Sequence, residues 1–318
     1  MGRLVRVSPK RSLAWEEVAE GFLLFKRSQG LAERTLEDLR YHTGLFLKAA
    51  GIAGTEDYEC FRRAVLEYLA KSSSLAPSTY NKRLQVLKTF FSWCVSEGYL
   101  PADPIHGVKR RREGETPRAA GEDALRRLLS VPDRATFTGL RDYALLLLAL
   151  DTGIRPKEAC SLKIHHFNLR GLEATVPREA AKTRVSRTLP ISLVTAEAVK
   201  KLIAARHPSW DERIPVFCTE DGRFMTHNAW DRRLQLYSKA AGVKVRPYDL
   251  RHSFALMFLR NGGNAFSLQK TLGHASMTMT KRYVALTQQD LREQHAIASP
   301  LNTLLPRRNR VRKVRSDV

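Results

Sequence analysis

The chain has 318 residues, longer than a single hydrophobic core usually grows, so two domains are the default expectation. Its 54 Lys and Arg against 32 Asp and Glu leave a net charge of +22, an excess that calls for a polyanionic partner. The longest apolar run, residues 143 to 150, is far too short to cross a bilayer, so nucleic acid is expected as that partner and a membrane is not.

Cys60, Cys94, Cys160 and Cys218 show no Cys-x-x-Cys spacing, which argues against both a disulfide framework and a zinc site. Met1-Gly2-Arg3-Leu4-Val5-Arg6 lacks the apolar core of a signal peptide. A reducing, cytoplasmic setting is the expectation.

Residues 1–100 read as a small helical domain. Trp15, Val18, Phe22 and Phe25 recur at helical spacing, and Leu36, Leu39, Thr43, Phe46 and Leu47 follow a Thr35 suited to an N-cap. Phe61, Val65, Tyr68 and Leu69 mark a third helix. Tyr80, Leu84, Leu87, Phe90, Phe91 and Cys94 mark a fourth, with Pro77 in its first turn and Gly98 ending it. Lys82, Arg83 and Lys88 lie on its outer face, either as a solvated surface or as phosphate contacts.

Apolar periodicity then stops, and residues 101–117 read as a proline-bounded linker. Its run Lys109, Arg110, Arg111 and Arg112 fits a strap across phosphates, each neutralised phosphate releasing a counterion.

Residues 118–298 read as a larger α/β region, and residues 299–318 as a C-terminal segment ending in a basic tail from Arg307 to Asp317. Short helices are expected over 122–129 and 141–150, and another after Pro156, which places Arg155 at an anion-favouring helix N-terminus. Three strands are expected over 163–168, 173–177 and 186–191, with Lys182 at the tip joining the last two. Helices follow over 196–207 and 228–241, the latter bearing the basic pair Arg232 and Arg233. Tyr248, Arg251 and His252 can share a face at the start of the next helix. A short helix over 264–272 precedes His274, and a last one over 278–286 is expected to carry Tyr283. Tyr283, nine residues beyond His274, reads as a nucleophile, although a phenol with a free pKa of about 10 needs strong electrostatic help. Leu291, Ile297, Leu301, Leu304 and Leu305 could form a terminal helix that docks on a neighbouring protomer.

Thr-Gly-Ile-Arg-x-x-Glu at 152–158, Lys182 followed by Arg187 and Pro190, Asp-Leu-Arg-His at 249–252, Leu-Gly-His at 272–274, and Tyr283 stand in a fixed order. Together they resemble the tyrosine recombinase or phage integrase family, of the two-domain Xer-like or transposon type, over nearly the whole chain. The resemblance implies a mainly α fold with a small antiparallel β-sheet: an N-terminal four-helix core-binding domain, SAM-like, and an α+β catalytic domain. It implies that Arg155 and Arg251 grip a scissile phosphate, Tyr283 attacks it to give a 3′-phosphotyrosyl bond, and Lys182 protonates the departing 5′ oxygen. His274 would hydrogen-bond the phosphate or position Tyr283, with Glu158 and His252 in support. The family usually has His where this chain has Tyr248, so Tyr248 enters the catalytic set as a hydrogen-bond donor to the phosphate, and the base role is not carried over to it. No cofactor or metal is implied. The implied partners are double-stranded DNA sites, further copies of the chain (a monomer in solution, a tetramer on paired sites) and accessory DNA-bending proteins. A type IB-like topoisomerase or a non-catalytic, sequence-specific DNA-binding protein are the alternatives.

Overall fold

A computed structural model describes residues 14–51, 57–113, 119–284, 292 and 295–304. The N-terminal leader reading, the end of the expected linker, Leu291, Leu305 and the 307–317 tail lie outside the described residues. The chain divides into two compact units, residues 1–114 and 115–318.

In the first unit, α1 (Trp15–Ser28), α2 (Glu33–Ala50), α3 (Tyr58–Lys71) and α4 (Pro77–Ser96) form the helical core. Apolar residues at three- and four-residue spacing face inward, so Trp15, Phe22, Phe46, Phe61, Phe90 and Phe91 are almost fully buried. Trp15 stacks on Phe61 with ring centroids 4.4 Å apart, while Phe46 meets Phe91 edge-on at 5.6 Å. Thr35 does not cap α2, which starts two residues earlier, after Ala32, with Glu33 offsetting the helix dipole. Asp57 caps α3 instead, its carboxylate accepting from the Glu59 N–H at 2.9 Å.

Within the stretch read as a basic linker, residues 101–113 pack onto the first unit. Leu100 and Ile105 are buried in the core of the first unit. Asn81, itself buried, donates to the Arg111 carbonyl at 2.9 Å and accepts from the Arg111 N–H at 2.8 Å. This two-way bracket fastens the segment like an added strand partner, and the Arg111 guanidinium lies 4.4 Å over the Tyr80 ring.

The second unit runs α5 (Glu122–Ser130), α6 (Phe137–Thr152), α7 (Pro156–Ala159), β1 (Phe167–Asn168), β2 (Glu173–Val176), β3 (Arg187–Pro190), α8 (Leu193–Ala204), α9 (His227–Ala240), α10 (Pro247–Arg260), α11 (Ala265–Leu272) and α12 (Met277–Lys281). The leucine-rich α6 is buried on most of its surface, as its unbroken apolar run requires. The antiparallel sheet has order β1-β2-β3, with Ala174 opposite Leu189 and both side chains buried. The first expected strand is mostly a 3-10 turn over Ile164–His166, closed by the Lys163 N–H donating to His166 Nδ1 at 2.9 Å; only residues 167–168 pair. Tyr283 is not on a helix: α12 ends at Lys281, and the Tyr283 N–H donates to the Thr280 carbonyl at 2.9 Å in the turn that follows.

Candidate active site

α11 ends at Gly273, whose left-handed φ of 62° turns the chain sharply. The last carbonyls of a helix lack partners within it and carry the negative end of its dipole. Here three successive carbonyls each receive an arginine. Arg187 Nε donates to Thr271 O at 3.0 Å, Arg251 Nη2 to Leu272 O at 2.9 Å, and Arg155 Nη2 to Gly273 O at 3.1 Å.

Three cations drawn this close need a counter-charge, and Glu158 on α7 supplies it. Its carboxylate accepts from Arg155 Nη1 at 3.0 Å and from Arg187 Nη2 at 2.5 Å, and it also accepts from the Arg155 backbone N–H. Burial pushes the Glu158 carboxyl up, but the two guanidiniums outweigh this and hold it below the usual carboxylate range. Glu158 therefore stays ionised and fixes both forks.

Arg251 on α10 is buried and donates Nη1 to the Gly153 carbonyl at 2.6 Å. Gly153 sits at φ 61°, and a Cβ there would collide with Phe254 Cδ1, so glycine is required. Burial, reinforced by Arg155, pulls the Arg251 pKa down to about 10, which still leaves it protonated at neutral pH. The other end of the fork meets His274 Nε2 at 3.0 Å, while His274 Nδ1 faces Thr280 Oγ1 at 2.9 Å. Burial, together with Arg251, Arg155 and Arg187, drops the His274 pKa to about 4. The neutral ring accepts at Nε2 from Arg251, which assigns its proton to Nδ1 and makes Thr280 the acceptor.

Tyr283 packs into a small apolar cluster with Phe254, Ala255, Leu268 and Leu272 and is only 8% exposed. Its ring lies parallel to that of His274, with centroids 6.5 Å apart. Its hydroxyl meets His252 Nδ1 at 2.7 Å. Burial raises the phenol pKa, against the opposing pull of Arg251 and Arg282.

The fold thus brings together Arg155, Glu158, Arg251, His252, His274 and Tyr283. Lys182 is exposed on the turn between β2 and β3 and joins no hydrogen bond among the described residues. Tyr248 is 55% exposed and likewise has no hydrogen-bond partner there. Two contributors went unassigned in the sequence. Arg187 served only as a spacing marker, and its pairing with Glu158 had no local signal. Thr280, fully buried against His274, carries no motif that would single it out from the nearby Ser276 and Thr278.

The candidate DNA-binding cations differ in how free they are. In the first unit, Lys82 pairs with Asp38 at 3.1 Å, Arg83 donates to Ser72 Oγ, Lys88 donates to the Val108 carbonyl, and Arg110 reaches Glu113 at 4.0 Å. Lys109 and Arg112 are exposed and have no such partner among the described residues. In the second unit Arg232 is exposed, whereas Arg233 donates to Asp142 at 2.8 Å and to Tyr237 at 2.6 Å. Asp142 is fully buried and also holds Arg141, so Arg233, a DNA-contact candidate from its place beside Arg232, is engaged in neutralising a buried carboxylate. Among the described residues no group of three or more His, Cys, Asp or Glu could hold a metal ion, and no helix is long and apolar enough to cross a membrane.

The sequence profile described as the phage integrase family matches residues 120–290. The chain is 31% identical to tyrosine recombinase XerC of Thermodesulfovibrio yellowstonii, over 76% of this chain and 81% of that protein. The chain belongs to the phage integrase family. It is a tyrosine recombinase, an enzyme of site-specific DNA recombination. It is also 29% identical to tyrosine recombinase XerD of Xanthomonas axonopodis pv. citri, over 89% of this chain and 97% of the relative. Among solved structures, the Tn1549 transposon integrase in complex with transposon right end DNA matches with a TM-score of 0.70 and 19% identity, covering 89% of this chain and 99% of that one. A lambda integrase tetramer bound to a Holliday junction matches with a TM-score of 0.70 and 15% identity, covering 86% and 78%. These two likenesses concern the fold, which is that of two-domain recombinases: mostly helical, with one small antiparallel sheet.

Proposed function

We propose that this recombinase cuts and rejoins DNA through a covalent bond between Tyr283 and a 3′ phosphate. The observation that carries the reading is the placement of the Tyr283 ring against His274, whose Nε2 sits on the Arg251 fork, beside the Arg155 fork that shares the same helix end. Two planar guanidiniums neutralise the charge that builds on the non-bridging phosphate oxygens in the transition state, and their preorganisation by Glu158 and three carbonyls avoids reorganisation during reaction. The Tyr283 oxygen bonds to phosphorus as the bond from phosphorus to the 5′ oxygen breaks. Lys182, on its exposed turn, delivers a proton to that leaving oxygen. The 5′ hydroxyl of a second strand reverses the reaction, so the bond energy is conserved. Lys109, Arg112 and Arg232 bind phosphates outside the reacting centre. Exchange between two duplexes assembles four protomers from monomers, with accessory DNA-bending proteins where the site requires bending.

A nicked suicide substrate carrying the protein's own site tests this. The native protein should become attached at a 3′ phosphate, and Tyr283→Phe should bind the site without attaching. An adduct that persists in Tyr283→Phe overturns the reading.

A further inference from the structure

We infer that His252 is the group that takes the proton from Tyr283 as its oxygen attacks, an inference that rests on Tyr283 being the nucleophile. Among the described residues the Tyr283 hydroxyl has one hydrogen-bond partner, His252 Nδ1, at 2.7 Å. That distance is within reach for direct proton transfer between a phenol and an imidazole.

The other candidates are occupied or turned away. Both ring nitrogens of His274 are engaged, Nε2 with Arg251 and Nδ1 with Thr280, and its ring lies alongside the tyrosine ring instead of end-on to the hydroxyl. Tyr248, one turn before His252 on α10, is mostly in solvent and has no hydrogen bond to Tyr283. Lys182 is exposed on a different element.

His252 is also in the right protonation state. Burial is the main cause that holds its pKa below the ordinary histidine value, helped by Arg251 and Arg282 and opposed by Asp249. Among the described residues, Tyr283 and His274 also face it. The ring is therefore neutral at pH 7, with the Nδ1 lone pair directed at the phenol and its proton on Nε2. In the forward step the phenol O–H breaks, its proton moves to His252 Nδ1, the Tyr283 O–P bond forms, and the bond to the 5′ oxygen breaks. In the return step the imidazolium gives the proton back to the departing tyrosine oxygen. No other donor or acceptor is needed for that proton.

Cleavage of the suicide substrate by the full-length protein, followed against pH, tests the inference. The native rate should fall on an acid limb below pH ~6.5, where a histidine of lowered pKa becomes protonated. His252→Gln, which can hydrogen-bond but cannot carry the proton, should bind the site normally, cleave about a hundredfold more slowly or worse, and lose that limb. Free imidazole should restore cleavage by His252→Ala, and difluorotyrosine at position 283, with its more acidic phenol, should restore part of the His252→Gln rate. A native profile with no acid limb, which needs no variant to observe, overturns the inference. So does a His252→Gln protein that cleaves like the native one, or a slow one that responds to neither imidazole nor fluorination, which marks a purely structural role. Because Tyr283→Phe is scored on the same substrate, loss of its adduct alongside a fast His252→Gln rejects this inference and leaves the nucleophile assignment standing.

Discussion

The His252 imidazole lies 2.7 Å from the Tyr283 hydroxyl, while Tyr248, one helical turn earlier on α10, leaves more than half its surface in water. The two residues sit on the same side of the helix by spacing alone. The difference is in what meets them: Tyr283 packs its hydroxyl against His252, whereas the Tyr248 side chain faces water although its neighbours Pro247 and Leu250 are buried.

Tyr248→Phe is accordingly expected to cleave within about twofold of the native rate, and Tyr248→His to gain nothing. Single-turnover cleavage of one suicide substrate measures both. A loss of tenfold or more, equivalent to about 1.4 kcal/mol, would mean that the hydroxyl reaches the phosphate once DNA is bound.

Glu158 is the shared counter-charge of Arg155 and Arg187, with its side chain only 2% exposed. Removing its charge leaves two nearly buried guanidiniums facing each other. Glu158→Gln should lower unfolding stability by about 3 kcal/mol or more, as expected when one member of a buried ion pair is lost. Urea unfolding reads this directly, and a change under about 1 kcal/mol would show that the arginines find other partners.

Gly153→Ala combines a strained left-handed backbone with a collision against Phe254 and Leu272. Together these should cost about 2 to 4 kcal/mol. The same carbonyl holds Arg251, so cleavage should also fall at temperatures where the variant is still folded. Native-like stability with native-like cleavage would contradict the packing described.

Acid should destabilise the protein in two separable steps. His274 has a folded pKa of about 4, below its unfolded value, so between roughly pH 6.5 and 4 the unfolded chain binds more protons and stability drops as pH falls. Glu158, whose folded pKa is also depressed, contributes stability above its unfolded value and loses it as pH falls through the folded one, below about pH 4.5. Urea midpoints between pH 7 and pH 5 should therefore decline in the native protein and flatten in His274→Asn. If that variant keeps the native slope, the loss belongs to other groups.

Lys109 and Arg112 are the free cations of their segment among the described residues, and Arg233 is committed to Asp142. Replacing Lys109 and Arg112 by Ala should lower the salt slope of DNA affinity by about 2, near one unit for each phosphate that is no longer neutralised. Arg233→Ala should leave the slope unchanged and reduce stability instead. Mobility-shift titrations over a range of salt concentrations distinguish the two, and equal slopes for all three proteins would remove the strap from the DNA interface.

The sequence by itself determined the two-unit, mostly helical plan, because helical spacing of large apolar residues such as Trp15, Phe22, Phe46 and Phe91 leaves little choice of buried face. It also named Arg155, Arg251, His274 and Tyr283, since each sits in a short motif whose order and spacing are readable without coordinates. The tertiary structure alone decided who holds whom. Arg187 is 29 residues from Glu158 and 84 from Thr271, and no local pattern encodes pairings at that range. The three-arginine cap on α11, the fastening of Arg111 by Asn81, the loss of Arg233 to Asp142 and the meeting of His252 with Tyr283 all arise from chain segments brought together by burial. Once there, each polar group had to find a partner, because leaving it unpaired away from water costs more than the bond itself contributes.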